Sequence, residues 1–262
     1  TKTYTFSCWY RRAQLGVNGS QQWLFGVNTV STDYEYLRIG SGGSANDQIE
    51  YGRVVSSATN GYKYFAAYLG DTSSWYHICL AIDHSLASLS SMRLWINGIE
   101  ASYTAGSAPT NVGGTINTPG KYMEIGRYYN TAGTGQLDGY LTEINYIDGQ
   151  ALDASYFGAS DPATGRWLPK KYTGSYGVNG AFYATYNAFT GSYPGHRERF
   201  GADYRGNTNM ISVASRYSGA QCNLSSQVVK FGTTSLRCNG TNGMEIGGIY
   251  SAGQGAGSCE CP

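Results

Sequence analysis

Short runs in which apolar and polar residues alternate with a period of two constrain this chain more than any other feature. In YTFSCWY, Tyr4, Phe6, Cys8 and Tyr10 share one face and Thr5, Ser7 and Trp9 the other, because successive side chains of a strand point to opposite sides. In WYHICLAID, Tyr76, Ile78, Leu80 and Ile82 form an apolar face opposite His77, Cys79 and Ala81. MRLWINGIE turns Met92, Leu94 and Ile96 inward before Asn97-Gly98, a pair that tolerates the positive φ angles of a type I′ hairpin turn. The same reading predicts strands over 34–39, 62–69, 121–127 and 139–147, the last closed by Asp148-Gly149. No helical period lasts beyond a turn or two, and no internal repeat is present. The predicted fold class is all-β, an antiparallel β-sandwich.

Composition agrees and removes the rivals. The chain carries 37 glycines, each costing a helix interior about 1 kcal/mol, so a helical bundle is excluded. Its 24 Tyr, 8 Phe and 5 Trp are far too many for a disordered chain. Lys and Arg total 18 against 17 Asp and Glu. With a net charge of +1 there is no basic field to hold a polyanion, and nucleic acid is not an expected partner. No apolar run approaches the roughly 18 residues that span a bilayer, so no membrane partner is expected either.

Of the 6 cysteines, Cys8 and Cys79 sit in strand-like runs and read as small buried hydrophobes. Cys222, Cys238, Cys259 and Cys261 cluster near the C-terminus, and the sequence does not choose their pairing. Cys259-Glu260-Cys261 lacks both the spacing and the nearby His of a zinc site. After Trp167 the chain becomes rich in Gly, Tyr and Asn with weak alternation, which reads as a long connection draped over something.

The stretch LDGYLTEINYIDGQALDASYFG resembles the closing strand and helical turn of laminin-G-like, concanavalin A-like jelly rolls. YTFSCWYRR, WYHICLAIDHS and MRLWINGIE match further strands of that pattern in the right order. The resemblance implies a jelly roll over 1–172, followed by a connecting extension over 173–215 and a Cys-bearing tail over 216–262. The continuation carrying Gly165, Trp167, Pro169, Lys170, Lys171, Tyr172, Gly174, Tyr176, Gly177, Asn179 and Gly180 is similar to the extension that follows such domains in structural proteins of tailed bacteriophages, notably marine ones. One departure stands out. The strand that usually opens the family domain reads here as KFGTTSLRCNGTNGMEI near the C-terminus. The tail is therefore expected to supply a strand to its own or a neighbouring sandwich.

Catalytic patterns are missing. Jelly-roll glucanases need two carboxyl groups across one cleft, from a Glu-x-Asp-x-x-Glu strand, and no Glu here has an acid two residues on. Only His77, His84 and His196 are available as bases, and no nucleophile elbow, phosphate loop or His-Glu-x-x-His helix occurs. Calcium is the cofactor the resemblance raises, with Asp71, Asp83 and Asp138 as candidate ligands. Nothing in their spacing fixes a loop of ligands, so no cofactor is expected. Tyrosine remains, with a flat apolar face and a polar tip suited to sugars and protein interfaces. Tyr34, Tyr36, Arg127, Tyr128 and Tyr129 are the candidate ligand-binding residues. The expected function is a non-enzymatic virion-surface protein, on a tail fibre, spike or decorated capsid. Its expected partners are further copies or other virion proteins, and host surface glycan. A glycan depolymerase on the same fold and a cellular extracellular adhesion module are the alternatives.

Overall fold

The computed structural model describes residues 2–13, 15, 21–30, 32–40, 47–110, 115–116, 122–126, 137–183, 211–212, 223–225, 235–239 and 244–246, with backbone alone over 28–30, at 122 and from 211 onward. The first strands are β1 (Thr3–Arg12), β2 (Gln22–Val30), β3 (Asp33–Ile39), β4 (Gln48–Val55), β5 (Ala58–Tyr68) and β6 (Tyr76–Asp83). They are followed by β7 (Met92–Ile96), β8 (Ile99–Glu100), β9 (Tyr103–Ser107), β10 (Tyr122–Ile125) and β11 (Asp138–Asp148). Beyond them lie β12 (Gly158–Ser160), β13 (Trp167–Pro169), β14 (Ala181–Tyr183), β15 (Ile211–Ser212), β16 (Asn223–Ser225), β17 (Ser235–Asn239) and β18 (Met244–Ile246).

Two antiparallel sheets face each other as a jelly-roll-type sandwich. The first runs β16-β17-β11-β1-β6-β7-β8, with β14 also on β11; the second runs β15-β18-β10-β2-β3-β4-β5-β9. The alternation read from the sequence sets their inner faces. Tyr4, Phe6, Cys8 and Tyr10 of β1 and Ile78, Leu80 and Ile82 of β6 meet Phe25, Leu37, Ile49 and Phe65 of the second sheet in one buried cluster. Burying such side chains contributes about 1.5–3 kcal/mol each. Asn97 and Gly98 take φ of 49° and 82°, the left-handed pair that the β7–β8 turn requires.

Buried polar networks occupy the inner space at both ends. At one, the Glu35 carboxylate accepts from Tyr4, Tyr51 (2.7 Å) and Thr115 (2.5 Å), with His84 Nε2 at 3.5 Å. At the other, buried Arg12 pairs with Asp47 and donates to the Leu69 carbonyl at 3.1 Å.

Among the long strands, β2 and β4 escaped the alternation pattern, and each carries a glycine near its middle, Gly26 and Gly52. Glycine usually weakens a strand. Here each makes room on the outer face for a neighbouring aromatic ring, since a Cβ at Gly52 would overlap Tyr36 and one at Gly26 would overlap Trp23.

The outer face of the first sheet is covered by its own chain. Cys79, Ala81, Trp95 and Ile147 pack beneath Ala154, Phe157, Tyr172 and Tyr176, with Trp167 and Phe182 alongside. That second layer explains why both faces of β6 are buried and why Cys79 is as enclosed as Cys8, both being free thiols. Burial pushes both thiols well above their ordinary range.

Candidate functional site

The outer face of the second sheet gathers aromatic rings around one ion pair. On β3, alternation sends Glu35, Leu37 and Ile39 into the core and Tyr34, Tyr36 and Arg38 outward. Register then aligns two rows across the strands. Glu124, Gly26, Tyr36, Gly52 and Tyr62 are opposed in one, and Trp23, Arg38, Glu50 and Tyr64 in the next.

Within these rows Arg38 Nε donates to Glu50 at 2.8 Å, its second arm donates to Gln21 at 2.5 Å, and Tyr36 donates to the other Glu50 oxygen at 2.6 Å. The guanidinium lies 4.4 Å from the centre of the Tyr36 ring. Tyr34 stacks on Tyr36 at 6.0 Å, and Trp23 packs against Tyr36 at 4.8 Å. Tyr62 and Tyr64 stand beside them, 5.2 Å apart. Tyr34, Tyr62 and Tyr64 are half-buried, whereas Tyr36 and Trp23 are buried. Burial, helped by the Glu50 carboxylate, pushes the Tyr36 and Tyr64 phenols above their ordinary range. Both hydroxyls therefore stay protonated and able to donate at neutral pH.

Of the residues read from the sequence, Tyr34 and Tyr36 meet on this face, Tyr36 as a packed support rather than an open platform. Arg127, Tyr128 and Tyr129 lie outside the described residues. Trp23, Arg38, Glu50, Tyr62 and Tyr64 were missed, because cross-strand register, which no local motif encodes, is what brings them together. The Tyr-x-Tyr doublet at Tyr62 and Tyr64, matching that at Tyr34 and Tyr36, was the available signal.

The chemistry open to the remaining groups is narrow. His77 receives the indole N–H of Trp167 on Nδ1 at 3.0 Å and lies 2.9 Å from Ser7 Oγ through Nε2. An indole nitrogen can only donate. The His77 proton therefore sits on Nε2 and points at Ser7, leaving no lone pair to take the serine proton. Burial pulls its pKa down to about 3, so the ring is neutral.

Glu50 and Glu124 share the outer face but stand on β4 and β10, with β3 and β2 between them.

Asp71, Asp83 and Asp138 do not converge. Asp71 binds Ser73 and Ser74 in its own turn before β6, while Asp83 lies at the far end of β6 and binds Ser85. Asp138 begins β11, beside the Arg12 end of β1. Among the described residues, no three His, Cys, Asp or Glu side chains gather as a metal site.

No family model and no curated protein matches the chain. Among solved structures, a native heptameric SAP-like pentraxin from Limulus polyphemus matches with 18% identity over 58% of this chain and 65% of that one, at a TM-score of 0.38. Domain 4 of AbnA, a GH43 extracellular arabinanase from Geobacillus stearothermophilus solved with arabinotriose, matches with 16% identity over 58% of this chain and 63% of that one, at 0.41. The chain thus spans less than two thirds of either.

Proposed function

We propose that this sandwich is a non-enzymatic recognition module that binds glycan on the outer face of its second sheet. The observation that carries the reading is the group of half-buried tyrosines on that face, Tyr34, Tyr62 and Tyr64, set around the Arg38–Glu50 pair. Aromatic faces receive the C–H faces of sugar rings, and protonated phenols and the fixed guanidinium offer donors to hydroxyl groups. The Glu50 carboxylate, held by Arg38 and Tyr36, is fixed in place as a hydrogen-bond acceptor. The resemblance of the Gly165 to Gly180 string to phage structural proteins supports placing the module on a virion surface, where it would engage host polysaccharide.

Retention on immobilised host capsular polysaccharide tests this. The protein should be retained and the polysaccharide recovered intact, and Tyr64→Ala should weaken retention about tenfold with an unchanged melting profile. Released oligosaccharide, or retention unaltered by Tyr62→Ala and Tyr64→Ala together, would overturn the reading.

A further inference from the structure

The C-terminal tail joins the sandwich through two separate ladders. β17 pairs antiparallel with the first half of β11, Asp138 facing Asn239 and Leu141 facing Leu236. After only residues 240–243, β18 pairs with β10 in the other sheet, Met123 facing Ile246 and Ile125 facing Met244. Four residues can extend about 13 Å, enough to cross the roughly 10 Å between packed sheets. One short segment therefore clasps both layers along the same side of the sandwich.

The edge it fills is discontinuous. The second half of β11, Ile144 to Tyr146, is already paired with β14, which arrives directly from the layer covering the first sheet. The tail is tethered to that layer only by residues 184–210, a length that can reach about 90 Å when extended.

We propose that the β11–β10 edge is a strand-acceptor site shared between copies, and that in the assembled protein the β17–β18 segment of one chain fills the edge of a second copy. The backbone ladders and register are the same whichever chain supplies the strands, so the exchange sacrifices no contact. A tether of this length holds its own tail at an effective concentration in the millimolar range. At protein concentrations approaching that value the tail of a second copy competes with the chain's own. The exchange closes as a dimer when two copies trade tails reciprocally, and as a ring or chain when each passes its tail to the next. The inference is independent of glycan binding, since it uses neither Tyr62 nor Tyr64.

Tyr140 and Arg237 are opposed across the β11–β17 ladder. Full-length chains carrying Tyr140→Cys and Arg237→Cys separately would be co-refolded over a range of concentrations, oxidised, and searched by peptide mass spectrometry for a disulfide joining the two introduced thiols. A chain carrying both changes reports the register within one molecule. The expected result is that link within the double variant, and in mixed samples a disulfide heterodimer rising with concentration toward the millimolar range. A double variant that links internally while mixed copies never link would overturn the exchange, and a double variant that fails to link would overturn the acceptor edge itself.

Discussion

The indole N–H of Trp167 donates to His77 Nδ1 at 3.0 Å, tying the C-terminal layer to a histidine on the outer face of β6. The Trp167 ring lies so close to Gly98 and Gly158 that a Cβ at either would overlap it. Trp167→Phe removes the donor and leaves a buried ring nitrogen unpaired. The expected loss is about 1–3 kcal/mol in urea unfolding, with the sandwich retained.

His77 also makes the protein acid-sensitive. Its folded pKa is pulled down to about 3 by burial, below the value near 6.5 of the unfolded chain. The unfolded state therefore binds the proton more readily, so stability is full above about pH 6.5 and is lost as pH falls from there toward 3. His77→Gln should flatten that slope in unfolding titrations between about pH 6 and 4. An unchanged slope would show that other groups control it.

Glu143 acts in the opposite sense. It takes a left-handed φ of 50° at the bulge where β1 and β11 shift register, between the parts of β11 paired with β17 and β14. Burial raises its carboxyl pKa. For a raised carboxyl the ionised form opposes folding, so the penalty is complete above the folded pKa and absent below the ordinary value of about 4.3. Glu143→Gln should raise the urea midpoint at about pH 7, with the gain vanishing below about pH 4.

Glu35 is the counterpart inside the core. Hydrogen bonds and the facing His84 hold its carboxyl below the usual range despite complete burial. Its contribution is present above the unfolded pKa and lost in stronger acid. Glu35→Ala strands the hydroxyls of Tyr4, Tyr51 and Thr115 and is expected to cost about 3–5 kcal/mol, read as a large drop in melting temperature.

Gly52→Ala tests the outer face. The added methyl must displace the Tyr36 ring, which carries Tyr34 and the Arg38 guanidinium. Polysaccharide retention should fall while the melting temperature drops by the equivalent of about 1–3 kcal/mol.

The strands that alternate cleanly, β1, β6 and β7, and the Asn97-Gly98 turn were legible in the sequence, because period and turn chemistry are local properties. Their residues alone determined that the chain is all-β and which side of each strand meets the core. Only the tertiary structure decided that Gly26 and Gly52 are seats for aromatic rings instead of strand breaks. It also brought Trp23, Arg38, Glu50 and Tyr64 into one row, and laid Trp167, Tyr172 and Tyr176 over a face that alternation marks as outward. The reason is physical: which strand neighbours which, and in what register, depends on contacts between residues far apart in the chain, and no stretch of sequence specifies its partner by its own periodicity.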